Sequence, residues 1–173
     1  MRILGNGVDA PFGLKPWGRQ RSFRWVYVEA SATAIYQFSP VYGEANGGVN
    51  IVTAEAGGVS SGYVLGTALQ YRASTATAGW IMICDDPDQI YEIQGDDGSG
   101  TPAQADVNAN AVMIATHTPT YRTSAIELDV SSVANTATHQ LRIIGKNESD
   151  SWGAYTRYLV RINYHDSLDT TGI

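Results

Sequence analysis

Apolar and polar residues alternate with a period of two along most of the chain after Ser22. This period is typical of half-buried β-strands, because successive side chains of a strand point to opposite faces. Residues 23–28 and 157–164 show it most clearly, and each predicts a strand with one aromatic and aliphatic face. Eight shorter candidates lie between them: Ala34–Phe38, Val49–Ala54, Tyr63–Tyr71, Gly79–Cys84, Gln89–Gln94, Ala111–Thr116, Ala125–Asp129 and Thr138–Ile144.

Glycine, proline, asparagine and aspartate clusters separate these strands, as expected for turns. The pattern therefore predicts an all-β domain, either an antiparallel β-sandwich or a barrel. The helix formers Lys, Glu and Leu are scarce, so little helix is expected. Residues Thr101–Asn110 predict either one short helix, with Pro102 at its first position, or a polar loop.

The first 24 residues differ in composition from the rest of the chain. Six glycines and prolines between positions 5 and 18 exclude a regular helix and interrupt any strand. Large apolar residues nevertheless recur there, among them Phe12, Leu14 and Trp17. We interpret residues 1–24 as an extended N-terminal arm that docks onto another surface, and residues 25–173 as a single β-rich domain. The alternative is that the arm lies over the protein's own core.

Charge narrows the range of partners. The 173 residues carry a net charge of −6, which argues against binding to nucleic acid or to an anionic membrane surface. Residues 1–25 hold five cations and one acid, a net charge of +4, whereas the other residues hold six cations and sixteen acids, a net charge of −10. The basic segment thus coincides with the predicted arm.

One cysteine, Cys84, excludes an intrachain disulfide and a multi-cysteine zinc site. Because it ends the apolar run Trp80–Ile83, we expect it to be a buried small hydrophobic residue. No apolar stretch has the length of a signal peptide or of a membrane span. We therefore expect a protein made and kept in the cytoplasm or released by lysis.

The segment Asp85–Asp97 contains six carboxylates and no lysine or arginine. It is either a solvated turn between two strands or, since hard cations take oxygen ligands, a calcium site. Its spacing does not match an EF-hand loop, and nothing in it selects the facing carboxylate pair that glycoside hydrolysis needs. We predict no metal site, no cofactor and no catalytic residue.

The three histidines, His117, His139 and His165, lack the spacing of metal ligands and no G-x-S-x-G sequence supplies a nucleophile. We expect them at the surface or at strand ends. The glycine-rich loop 95–100 carries two acids that would repel phosphate, which argues against nucleotide binding. The many tryptophans and tyrosines suit a core and an interface better than a sugar site, although they allow both.

Short sequences spread over most of the chain resemble those of capsid cement, or decoration, proteins of tailed bacteriophages. The resemblance rests on these pieces: Met1–Gly7, Trp17–Val28, Ala30–Thr33, Pro40–Tyr42, Cys84–Gln94, Ser124–Asp129, Leu141–Gly145 and Tyr158–His165.

This resemblance implies a non-enzymatic, β-rich virion protein that binds the outer surface of an icosahedral shell of major capsid protein. It would stabilise the shell against internal DNA pressure, as a homotrimer or homodimer at local symmetry axes, after synthesis in the host cytoplasm. The family supplies no contact residues, so these come from the arm itself. We predict the following capsid-binding residues: Phe12, Leu14, Trp17, Arg19, Arg21, Arg24 and Trp25.

Two other functions fit parts of the pattern. The chain could be a carbohydrate- or receptor-binding β-sandwich of a virion that uses exposed Trp or Tyr side chains. A hydrolase with two acidic residues has the least support, because no residue pair is singled out by the sequence.

Overall fold

The alternating stretches form strands whose pairings with one another are all antiparallel. The computed structural model describes residues 7–52, 63–98, 100–115, 119 and 121–168. Within these ranges there is no α-helix, and the predicted all-β class is confirmed. The strands are β1 (Lys15–Pro16), β2 (Arg24–Val28), β3 (Pro40–Gly43), β4 (Val49–Ile51), β5 (Gly66–Ala68), β6 (Gly79–Cys84), β7 (Tyr91–Gln94), β8 (Asn110–Ala111), β9 (Met113–Ala115), β10 (Ile126–Leu128), β11 (Leu141–Lys146) and β12 (Arg157–Ile162).

One five-stranded sheet has the order β1-β7-β12-β11-β8 and carries the larger hydrophobic core. Its strand β12 behaves as the alternation predicts, because Tyr158, Val160 and Ile162 are buried while Arg161 on the opposite face is exposed. The hairpin of β9 and β10 packs its apolar residues into the same core. A residue of the N-terminal segment, Leu14, completes this cluster.

The second five-stranded sheet has the order β2-β6-β5-β3-β4 and surrounds a separate core. Val26 and Val28 of β2 meet Ile81 and Ile83 of β6 inside it. A parallel bridge between Tyr27 and Gly48 joins β2 to the residue before β4. The two outer strands of this sheet therefore meet, and the sheet curls around its core.

The orientation of β2 decides a point that the alternation leaves open. Alternation predicts a strand at residues 23–28 with an aromatic face, and it does not state which face is buried. In the structure the valines face the core, whereas Phe23 and Trp25 are 61% and 54% exposed. Both faces of this strand are apolar, so its period alone does not select the buried one. The aromatic face of β2 instead becomes part of the protein surface.

Other boundaries shift for local reasons. Residues 34–38 form isolated bridges instead of a strand, because Phe38 takes a positive φ of 66° and turns the chain. Strands β1 and β3 were not predicted, and each contains a proline. Residues 101–110, expected to form either a short helix with Pro102 at its first position or a polar loop, contain a 3-10 turn over Gln104–Asp106 that begins after Pro102. The Asp106 carboxylate accepts a hydrogen bond from the Ala103 backbone there. Residues 53–54 and 116, at the ends of two candidate strands, lie outside the described ranges.

Candidate interaction surface

The N-terminal segment lies on the protein's own body from Leu14 to Trp17. The backbone N–H of Leu14 donates to the carbonyl of Phe38 at 2.8 Å, and that of Trp17 donates to the carbonyl of Ile90 at 2.8 Å. Gly13 permits this close approach with a φ of 79°, since a Cβ there would lie 2.4 Å from the Phe38 oxygen. Leu14 has no exposed surface. Its predicted role in docking is therefore wrong, and it belongs to the core.

The other predicted contact residues lie at or near the surface in three places. Phe12 is half-buried, with the Lys15 ammonium 5.9 Å from its ring centre. Trp17, Arg19 and Arg21 line one cavity, described below. Arg24 and Trp25 lie on β2, at the other end of the segment. The structure thus places six of the seven predicted residues, Leu14 excepted, where an approaching molecule could reach at least part of the side chain.

An aromatic face covers the outer side of β2 and β6. We define it by Phe23, Trp25, Tyr27, Trp80 and Met82. The strand register pairs Trp25 with Met82 and Tyr27 with Trp80, so these side chains leave the sheet on the same side. The rings of Tyr27 and Trp80 pack edge to face with centroids 5.8 Å apart, and Trp80 is 62% exposed. Adjacent exposed aromatics of this kind mark an interaction site more often than isolated ones do.

An ion pair lies beside the aromatic face, where β2 begins and β6 ends. The Arg24 guanidinium contacts the Asp85 carboxylate, which also accepts a hydrogen bond from the Ser22 hydroxyl at 3.2 Å. Asp85 follows β6 directly, so this pair ties the start of β2 to the end of its neighbour. Because Arg24 already has this partner, its charge is less available to a ligand than that of an unpaired arginine.

Three of the predicted contact residues line an arginine pocket, which we define by Trp17, Arg19, Arg21, Asp88 and Arg161. Its cavity has a volume of about 260 Å³. The buried side chain of Gln89 organises it, because its Nε2 donates to the Trp17 carbonyl at 3.0 Å while its Oε1 accepts from the Arg21 backbone at 3.3 Å. Trp17 and Arg21 therefore enter the pocket from fixed backbone positions.

The carboxylates of Asp85–Asp97 are distributed among separate partners. Asp86 accepts from the Asp88 backbone, Asp96 from the Val130 backbone at 2.9 Å, and Asp97 from the Tyr155 hydroxyl. Among the described residues, no group of three His, Cys, Asp or Glu side chains is placed to hold one metal ion. The segment thus serves turns and ion pairs, and it gives the calcium alternative no support.

One buried polar network was not predicted. Asp150 forms a two-pronged pair with Arg157, at 2.6 Å to Nη2 and 3.1 Å to Nε. Glu92 lies 3.6 Å from the same guanidinium and also accepts from the Asn147 amide. The pKa of Arg157 is raised, chiefly by its hydrogen bond to Asp150. Asp150 and Arg157 flank one loop, but Glu92 is distant in sequence, so no local motif signals the network.

His165 was expected at the surface or at a strand end; it follows the end of β12 by three residues and is 1% exposed, so only the surface location is wrong. Its Nδ1 accepts a hydrogen bond from the Ser167 backbone at 3.1 Å. Loss of hydration lowers the pKa of His165, while Asp85, Asp166 and Asp86 oppose this shift. Cys84 is fully buried as predicted, and burial raises the pKa of its thiol. His139 is partly buried, and His117 lies outside the described residues.

The burial of His165 predicts that the protein loses stability in mild acid. Its pKa lies below the ordinary 6.5 in the folded state, so the unfolded chain binds the proton more readily. The unfolding free energy should therefore fall as the pH drops through about 6.5 toward the folded-state pKa. Urea unfolding at about pH 7.5 and about pH 5.5 measures this. His165→Gln should reduce the pH dependence; a dependence in this variant as steep as in the unmodified protein would contradict the assignment.

Among the described residues, none belongs to a helix long and apolar enough to cross a membrane. Comparisons with protein-family models, with curated proteins and with solved structures find no match for this chain.

Proposed function

We propose that this chain is a capsid cement protein that binds the outer surface of a shell of major capsid protein and stabilises it against internal DNA pressure. The observation that carries the proposal is the exposed aromatic face of β2 and β6. Residues 17–25 connect this face to the arginine pocket, because Trp17 lines the pocket and Trp25 belongs to the face. Together they offer apolar contact and positive charge on a protein that is otherwise acidic.

The character of the aromatic face suits binding to a protein. Tryptophan and tyrosine provide large contact areas at a low cost in side-chain entropy, and they dominate the energetic centres of protein interfaces. Four of its five residues lie on two paired strands, so their backbone positions are fixed before binding. A modest affinity at each site would suffice, because many copies bound to one lattice raise the effective concentration. Self-association as a trimer or dimer stays a prediction within this proposal.

Point substitutions test the proposal better than removal of the arm. Deleting residues 1–20 would also remove Leu14 from the core, and a loss of binding would then report on folding. Trp25 and Trp80 are largely exposed, so replacing both by serine should leave the fold intact. Tyr121 supplies the matched control, because it is 99% exposed and lies away from β2 and β6 in the sequence and the strand pairing.

The experiment measures sedimentation of the purified chain with empty shells assembled from the major capsid protein of the same genome. The unmodified chain should bind, and Trp25→Ser with Trp80→Ser should weaken binding by about a hundredfold or more. Tyr121→Ser should bind like the unmodified chain. Undiminished binding by the double variant would exclude the aromatic face as the contact. Absence of binding by the unmodified chain would contradict the proposed function.

The same two tryptophans favour one other candidate, a carbohydrate-binding module of a virion. Exposed aromatic rings on a sheet can stack against sugar rings, and Trp25 and Trp80 lie on neighbouring strands of the same face. A glycan array separates the two candidates. Binding to glycans that Trp25→Ser abolishes, together with a lack of sedimentation with shells, would favour the carbohydrate candidate over the cement protein.

A further inference from the structure

The arginine pocket carries an excess of positive charge. Three guanidinium groups, from Arg19, Arg21 and Arg161, line it together with a single carboxylate, that of Asp88. In the described part of the chain Arg19 has no ion-pair or hydrogen-bond partner. Positive charge is thus concentrated in one cavity of a chain whose net charge is −6.

Asp88 does not form strong hydrogen bonds with these arginines. Its carboxylate oxygens lie 4.0 Å from Arg21 and 3.6 Å from Arg161, beyond the roughly 2.7–2.9 Å of a strong charge-assisted hydrogen bond. All three side chains are substantially exposed, so each contact contributes little stability. The guanidinium donors are therefore left available to a second anionic group.

A like-charge pair between β11 and β12 supports the same conclusion. The register of β11 and β12 places Arg142 directly opposite Arg161, so the two side chains project from the same face of the sheet. Like charges at opposing positions of an antiparallel pair destabilise it. Both arginines are exposed, so solvent screens this repulsion, and an anion bound beside Arg161 would reduce it further.

The position of the pocket indicates what kind of anion it takes. Arg21 lines the pocket and Phe23, two residues later, belongs to the aromatic face, so a bound chain could contact both. A nucleic-acid backbone is less suited, because its repeated phosphates would meet the Asp88 carboxylate in the pocket and the neighbouring acids Asp85 and Asp86 in the chain. A protein segment can instead place one or two carboxylates in the pocket and apolar residues beside them.

We propose that the arginine pocket binds an acidic protein segment, whose aspartate or glutamate carboxylate contacts Arg19 and Arg161 beside the indole of Trp17. This inference rests on the proposed function for the identity of the partner, the shell protein, and on the geometry of the pocket for its chemistry. A guanidinium group is well suited to a carboxylate, because one planar guanidinium can donate two parallel hydrogen bonds to it. Gln89 is a positioning residue, since it holds the backbone of Trp17 and Arg21.

A titration with a fluorescein-labelled hexaglutamate peptide tests the chemistry without any shell. The full chain should bind it, and more weakly as salt rises from about 0.05 to about 0.3 M. Arg19→Gln and Arg161→Gln should each weaken binding by about tenfold. Arg122→Gln is the matched control, because Arg122 is an exposed arginine that stacks on Tyr71 outside the pocket. Thermal unfolding of each variant confirms that it is folded.

Three outcomes would overturn the assignment: no binding of hexaglutamate, an equal loss in Arg122→Gln, or equally tight binding of a single-stranded DNA of the same charge. Sedimentation of the arginine variants with shells separates this proposal from the function. Shell binding unaffected by Arg19→Gln and Arg161→Gln would overturn the pocket's role and leave the cement function standing. Peptide binding by a chain that binds no shells would overturn the function and support the pocket's chemistry.

Discussion

Replacing Asp150 by alanine is expected to lower the free energy of unfolding by about 3 kcal/mol. The Asp150 carboxylate is almost fully buried and accepts three hydrogen bonds from Arg157, one from the backbone N–H at 2.9 Å and two from the guanidinium. Alanine would leave all three donors without this acceptor. The remaining carboxylate near the guanidinium, Glu92, lies 3.6 Å away and cannot replace the lost geometry.

Glu148→Ala is the control for this prediction. It removes the same charge from the same loop, but Glu148 is exposed, so its effect should remain within about 0.5 kcal/mol. Denaturant unfolding of the two variants and the unmodified protein measures the difference. If Asp150→Ala were no more destabilising than Glu148→Ala, the network would contribute nothing to stability beyond ordinary surface charge.

Replacing Gly66 by alanine should destabilise the protein by at least about 3 kcal/mol. Gly66 lies in β5 against the end of β6, and a Cβ atom there would be 2.1 Å from the Cys84 carbonyl oxygen and 2.9 Å from the Asp85 Cα. Both obstacles are backbone atoms, so no side-chain rotation relieves the overlap. The strands would have to separate, which would disturb the pairing of Thr67 with Cys84.

Gly145→Ala provides the comparison, because it makes the same change in another strand, β11. A Cβ atom at Gly145 would meet no atom within 4 Å, and its φ is not positive. Its unfolding free energy should change little, or rise by up to about 1 kcal/mol as the unfolded chain loses conformational freedom. Similar melting curves for the two variants would show that β5 and β6 do not approach as closely as described.

The predicted contact residues differ in how far the sequence identifies those that are exposed. The basic and aromatic composition of residues 1–25 was sufficient to single out Trp17, Arg19, Arg21 and Trp25, which the structure places at the surface. It could not distinguish Leu14 from them, because an isolated leucine between glycine and lysine has no periodicity. Nor could it find Trp80 or Arg161, which join the surface through strand pairing with distant segments.

The alternation of apolar and polar residues by itself determined that this protein is all-β. The apolar run Trp80–Ile83 determined where β6 runs and that Cys84 is buried, because these properties depend on side chains within a few residues. Tertiary structure alone decided which face of β2 is covered. Both faces are apolar, and the valines are buried because they meet Ile81 and Ile83 in a common core, which leaves Phe23 and Trp25 in solvent. It likewise decided that Glu92, Asp150 and Arg157 share one network. Such contacts join residues that lie far apart in the chain, and no local pattern encodes them.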